Sequence, residues 1–233
     1  MFKERLLREA LKAYAGEHVL ERVLALGESA LQLNNGRERM AVMYVIAATN
    51  RRVFEELGPA QAREQKIRFL SITQEEVEAA GGRIADYLGD DAIVYFPAPR
   101  GDAACAAAAA QCARRIVERS LDAVQPERPP MLLPMIGLDL GFVFIGNFGT
   151  PQRMKFTVQG DVVNAAYEIA GCCKKFQATI LMSEVMAGLA AAPGTAPEGY
   201  VGDAVTKLAG AMKLYVPVEV DFAAVLGERL EQG

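Results

Sequence analysis

The residues whose types and spacing could do chemistry are few. Gly89-Asp90-Asp91 stands between two apolar stretches, where Asp90 could offer a hard oxygen ligand to a cation; Gly and Asp are equally what a tight hairpin turn demands. Arg51 and Arg52 follow an apolar run and open a helical pattern, so they could meet an anion at a helix N-terminus or stand as a solvated basic pair. Gly160-Asp161 precedes a helical pattern carrying Asn164, and Asp161 is a candidate N-cap. Thr157 suits a strand as well as a ligand. The four cysteines (Cys105, Cys112, Cys172, Cys173) are too few and too irregular for a disulfide scaffold or a zinc site. Cys105 and Cys112 share one face of an Ala-rich helix and are expected to face a sheet, while Cys172 and Cys173 read as packing residues. A single histidine, His18, excludes a His-based metal site or triad and reads as a surface or helix-contact residue.

The elements that must position these residues follow from periodicity. Residues 2–33 have helical spacing interrupted at Gly16, and Asn34-Asn35-Gly36 is a turn signal. Residues 40–48 form a continuous apolar run, the mark of a strand buried on both faces. Residues 51–80 are helical in two pieces divided near Gly58-Pro59, with Gly81-Gly82 as the stop. Strands are predicted at 83–88 and 92–96, then an Ala-rich helix at 102–124 and a linker at 126–130. Two strands flank Gly141 (135–140 and 142–147), and another covers 153–158. A helix at 162–174, a strand at 179–182 and a helix at 184–191 capped by Ser183 come next. A loop at 193–199 leads to strands near 206–208 and 215–221. This order predicts an α+β sandwich on a ferredoxin-like core, with helices covering one face of a mainly antiparallel sheet and a helical N-terminal extension.

Composition narrows the function. The 233 residues are 52% apolar and 23% charged, enough for a real core. Lys and Arg number 25 against 29 Asp and Glu, a net charge of −4 with no sustained basic block, which argues against nucleic acid as a partner. Every apolar stretch is broken well short of ~18 residues, so no membrane span is predicted. The N-terminus is too acidic for a transit peptide and lacks a secretory apolar core, which predicts a cytoplasmic protein.

Three segments together resemble class III adenylate/guanylate cyclase homology domains. GGRIADYLGDDAIVYF (81–96) is similar to that family's hairpin signature, GG-R-x-x-K-x-x-G-D-x-x-x-x-x-F. IGLDLGFVFIGNFGTPQRMKFTVQGDVVNAA (136–166) is similar to its long IG-x-x-x-G…T-x-x-G-D-x-V-N-x-A signature. AVMYVIAATNRRVF (41–54) stands where the family has its first strand. The resemblance implies a helical segment at 1–35 like that preceding many bacterial cyclase domains, a cyclase homology domain at 36–222, and a tail at 223–233.

The family closes the ribose 3′-oxygen onto the α-phosphate at a dimer interface, with two metal ions held by two aspartates. The resemblance places the first metal aspartate on Ile46, which cannot ligate a hard cation, and the second on Asp90. It places the purine-reading Lys on Asp86, its partner on Thr157 and the ribose-orienting Asn on Asn164. The transition-state Arg falls on Glu168, the phosphate-cradling turn on Thr49 and Asn50 beside Arg51, and a terminal basic residue on Ala209. Exchanging Arg for Glu beside a phosphate swings the interaction by roughly 8 kcal/mol at an effective dielectric near 20. The leading expectation is a catalytically degenerate domain acting as a dimerising regulatory or scaffold module, with no metal or nucleotide cofactor. The alternatives are an active cyclase with an unorthodox site using Asp91 or Asp86 with Mg²⁺ or Mn²⁺, and a nucleotide-binding sensor without turnover. The resemblance implies a homodimer, or a heterodimer with a cyclase-like protein, through an arm at 142–157 carrying Phe142, Phe144, Phe148 and Phe156, and leaves a further protein partner open. Three unbalanced carboxylates (Asp86, Asp90, Glu168) are expected to make the cleft repel anions.

Overall fold

The computed structural model describes residues 2–49, 51–122, 132–191, 199–207 and 210–217. Asn50, Ala209, the expected linker at 126–130, nearly all of the loop at 193–199 and the tail at 223–233 lie outside the described residues, as do the side chains of Arg51 and Arg52.

The apolar run becomes β1 (Asn35–Thr49), longer than predicted because the Asn-Gly pair enters the strand instead of turning. It lies between β3 (Asp91–Pro97) and β4 (Leu132–Thr150), antiparallel to both. Gly141 does not divide β4: it sits opposite Met40, so the long β1 pairs continuously across it. With β2 (Arg83–Leu88), β5 (Arg153–Gln159), β6 (Ile180–Ser183), β7 (Tyr200–Thr206) and β8 (Gly210–Tyr215), the sheet has eight strands in the order β2-β3-β1-β4-β6-β8-β7, and β5 pairs with β4. The β4–β6 pair is parallel. The final hairpin, β7–β8, falls earlier than the strands predicted near 206–208 and 215–221.

Helices cover both faces of this sheet, not one. Alternate β1 residues Ala41, Met43 and Val45 pack with α3 (Arg51–Ala79) and α4 (Asp102–Asp122); Met40, Val42 and Tyr44 pack with α5 (Asp161–Gly171). A strand buried on both faces must be apolar throughout, which is what residues 40–48 are. Helix α3 breaks at Gly58, whose φ of 74° suits a residue without Cβ, and Pro59 restarts it. Cys105 and Cys112 are buried against the sheet, Cys105 Sγ donating to the Phe96 carbonyl at 3.0 Å. Burial pushes the Cys112 and Cys173 thiols up to about 12, so both are inert packing groups.

Helix α5 is capped by Gly160, and Asp161 lies inside its first turn without a side-chain capping bond. The predicted helix at 162–174 is two pieces, since α6 (Cys173–Phe176) starts after Cys172. Ser183 does cap α7 (Glu184–Ala190), accepting from Met186 N at 3.2 Å. Gly137 of β4 lets α5 sit directly on the strand: a Cβ there would lie 2.0 Å from the Ala166 carbonyl oxygen.

The N-terminal residues form α1 (Phe2–Ala15), α2 (Glu17–Leu26) and a 3-10 segment (Gly27–Leu31). Asn147 on β4 fastens the exit of this segment, its amide nitrogen donating to the carbonyls of Ala30 at 2.7 Å and Gln32 at 2.6 Å. His18 of α2 packs against Tyr95 and Phe156, with ring centroids 6.2 and 5.9 Å away. Burial, and then Arg83, push His18 down from 6.5 to about 4. Between those values the unfolded chain binds more protons than the folded one. The contribution of neutral His18 is therefore full above about pH 6.5 and is lost as pH falls toward about 4. We expect the melting temperature of the native chain, relative to His18→Gln, to fall between about pH 7 and pH 5. A difference constant over that range would mean that α2 does not bury this ring.

Candidate functional site

The face of the sheet under α5 carries Tyr44 and Ile46, and α5 itself carries Asn164 and Glu168. Tyr44 lies on β1 with its ring edge-on to Tyr167 of α5, centroids 5.0 Å apart. Burial pushes its phenol up to about 12, with Asp91, Tyr167 and Asp86 adding to the rise. The β2–β3 hairpin therefore brings its acidic residues toward this part of β1. Asp91 Oδ1 accepts the Ala47 N–H at 3.0 Å; burial raises its carboxyl, the hydrogen bond opposes that, and the charge of Asp90 adds to it.

Ile46 is half-buried and packs into the apolar clusters beneath α5 and beside β6. Asp90 is engaged elsewhere: its carboxylate pairs with the Lys66 ammonium of α3, on the other side of the sheet. Asp86 pairs with Lys155 of β5. Lys155 and Thr157 alternate on β5 and so share one face of that strand; Thr157 is buried and opposite Gly146. Glu168 Oε1 accepts the backbone N–H of Lys207 at 2.9 Å, fastening α5 to the turn after β7. Asn164 is exposed on the first turns of α5, and Thr49 is exposed at the end of β1.

Two expectations change. Asp86 and Asp90 are each balanced by a lysine of the same chain, and Glu168 accepts a backbone N–H, so at least two of the three carboxylates are charge-paired. Of the four phenylalanines at 142–156, Phe142 and Phe144 are about half exposed (49% and 48%), while Phe156 lies beneath His18 and Arg22 of α2. Arg37 stacks on Phe142 at 4.2 Å from the ring centre.

The residues do not fit a divalent ion. A hard cation needs several convergent oxygens. Ile46 offers none, the Asp90 carboxylate already holds an ammonium, and Asp91 is bonded to β1. Among the described residues no group of three or more His, Cys, Asp and Glu side chains is placed to hold a metal.

Sequence reasoning missed Lys66, Lys155, Tyr167 and the Lys207 backbone. The alternation of β5 could have placed Lys155 beside Thr157. Nothing local marks Lys66, a lysine on a helix that is charged over much of its length.

No protein-family model matches the chain. It is similar to two uncharacterized proteins of Mycobacterium tuberculosis, at 29% and 27% identity over 177 residues, or 76% of this chain and 32% of each relative. The chain thus spans about a third of the length of the curated relatives it matches. Among solved structures, a bacterial light-regulated adenylyl cyclase superposes with a TM-score of 0.75 at 19% identity, over 92% of this chain and 61% of that one. The adenylyl cyclase CyaB from P. aeruginosa gives a TM-score of 0.64 at 22% identity, over 81% and 97% of the two chains. A non-canonical dimeric guanylyl cyclase domain from the aquatic fungus Blastocladiella emersonii gives 0.57 at 18%, over 77% and 96%. The fold is that of adenylyl and guanylyl cyclase domains. Among the described residues no helix is long and apolar enough to cross a membrane.

Proposed function

We propose that this chain, which has the fold of adenylyl and guanylyl cyclase domains, is a catalytically degenerate version that dimerises and serves as a regulatory or scaffold module. The observation that carries the reading is Ile46, an apolar side chain packed beneath α5 at the position the resemblance gives to a metal-binding aspartate. The environments of Asp86, Asp90 and Glu168 support it, since each is tied to a partner within the chain. These contacts give the three residues structural work in place of the catalytic roles their positions imply. The module needs no metal or nucleotide of its own, and we place it in the bacterial cytoplasm.

Dimerisation draws support from the half-exposed Phe142 and Phe144 and, for pairing of such a fold in general, from the neighbour described as a non-canonical dimeric guanylyl cyclase domain. Light scattering at tens of micromolar should give twice the 25.1 kDa chain mass. A monomer would sink the homodimer and favour pairing with a second cyclase-like protein. Calorimetric titration with MgATP should show binding weaker than about 1 mM, roughly −4 kcal/mol. Micromolar binding would replace this reading with a nucleotide sensor.

A further inference from the structure

The first 33 residues hold a concentration of exposed apolar side chains. In α1 no residue is buried: Phe2 is 73% exposed, Leu7 70% and Tyr14 92%, and with Leu6 they fall at helical spacing on one side of the helix. Leu24 and Leu26 of α2, then Leu31 and Leu33, are about half exposed or more. The two stretches carry opposite charge. α1 has Lys3, Arg5, Arg8 and Lys12 against Glu4 and Glu9, whereas residues 17–31 have Glu17, Glu21 and Glu28 against Arg22. Arg8 is paired with Glu4, Lys12 with Glu17 and Glu21 with Arg83. Among the described residues Lys3, Arg5 and Glu28 have no ion-pair partner.

The joint between α1 and α2 is fixed in a form that leaves both surfaces open. Gly16 has a φ of 92°, and its N–H donates to the Lys12 carbonyl at 2.9 Å. A Cβ there would lie 2.9 Å from the His18 ring, which is itself held against Tyr95 and Phe156. The Lys12–Glu17 pair spans the joint. A second copy related by a two-fold axis covers both surfaces at once, because each chain then gives one and receives the other. Counted from Gly16, Lys3 and Arg5 stand 13 and 11 residues to one side and Glu28 stands 12 to the other. An α1 lying antiparallel along the partner's α2, with the two joints adjacent, therefore brings these unpaired charges together as the leucines meet.

We propose that α1 of one copy lies along α2 and the 3-10 segment of a second copy, a reciprocal clasp that makes residues 2–33 a dimer contact. The proposal deepens the reading of the domain as a dimer and is independent of its catalytic state. Sedimentation of the full chain over a concentration series reads the dissociation constant, with each variant first shown folded by circular dichroism. Leu7→Gln/Tyr14→Gln should raise it at least about a hundredfold, since both copies lose the apolar contact. Arg5→Glu alone and Glu28→Arg alone should each weaken the dimer about tenfold, and an equal mixture of the two variants should restore native affinity. Only in that mixed dimer do both reciprocal contacts join opposite charges.

A dimer that ignores the α1 changes but is lost on Phe142→Ser/Phe144→Ser would overturn the clasp and leave the dimer reading standing. Weakening by Leu7→Gln/Tyr14→Gln with no rescue in the mixture would also overturn it, since α1 would then meet α1. A native monomer would overturn the clasp and the homodimer together. If that monomer floats with phosphatidylglycerol vesicles, the exposed face of α1 belongs to a lipid surface instead.

Discussion

Purified protein incubated with MnATP or MnGTP should produce no cyclic AMP or cyclic GMP above background. The expected deficit is the largest effect considered for this chain. Glu168 stands where the resemblance implies an arginine for the α-phosphate. At an effective dielectric near 20 and about 4 Å, each sign of charge is worth about 4 kcal/mol. Reversal therefore costs roughly 8 kcal/mol, on the order of a millionfold in rate if fully expressed. The Glu168 carboxylate accepts the Lys207 N–H at 2.9 Å, a fixed contact that resists swinging away from an incoming phosphate. Solvent reduces the penalty, but Ile46 offers no oxygen at a position where the resemblance implies a metal ligand, and Asp90, at the other implied position, is paired with Lys66, so the losses act in the same direction. Robust turnover that disappears on Asp90→Ala would overturn this expectation and establish an unorthodox enzyme.

Replacing Gly137 by alanine should lower the melting temperature by about 6 to 12 °C, the largest stability effect we expect from a single methyl group. The added Cβ would lie 2.0 Å from the Ala166 oxygen and 2.4 Å from the Ala170 nitrogen. Both are backbone atoms of α5, so no rotamer change can relieve the contact. The helix must lift off β4, parting Ile169 and Ala170 from the fully buried positions they hold. Overpacking of this kind costs about 3 kcal/mol or more. Gly188→Ala is the matched control. It lies exposed in α7 with nothing within 4 Å of its Cβ position, so alanine there should be neutral or stabilising by about 0.5 to 1 kcal/mol. A Gly137→Ala protein that melts like the native chain would mean that α5 is not seated on β4 as described.

Gly137 also marks where sequence and structure divide. The glycine belongs to a segment that resembles a cyclase signature, and that resemblance pointed to the right fold. Its reason, a helix lying against the strand backbone, is visible only when β4 and α5 are assembled. Local signals were legible where the physics is local. The Gly58-Pro59 break in α3, the β2–β3 hairpin and the Ser183 cap all depend on backbone preferences within a few residues. Continuous apolarity at residues 40–48 likewise announced a strand covered on both faces, although the helix on the second face was not foreseen.

Where a local rule met a tertiary demand, the tertiary demand won. Gly141 reads as a strand break, yet β4 runs through it because β1 pairs along its full length. Asp161 reads as a cap, but Gly160 takes that place with a φ of 142°, a conformation glycine adopts without penalty. The sequence by itself determined the element order, the apolar faces and which side chains stand at the positions that the resemblance singles out. Only the tertiary structure decided what those side chains do. Asp90 meets Lys66 across 24 residues of chain and Glu168 meets the Lys207 backbone across 39, distances at which no periodicity or turn rule carries information. An ion pair needs its two groups within a few ångströms, and only the packed sheet brings groups so far apart in sequence to that range.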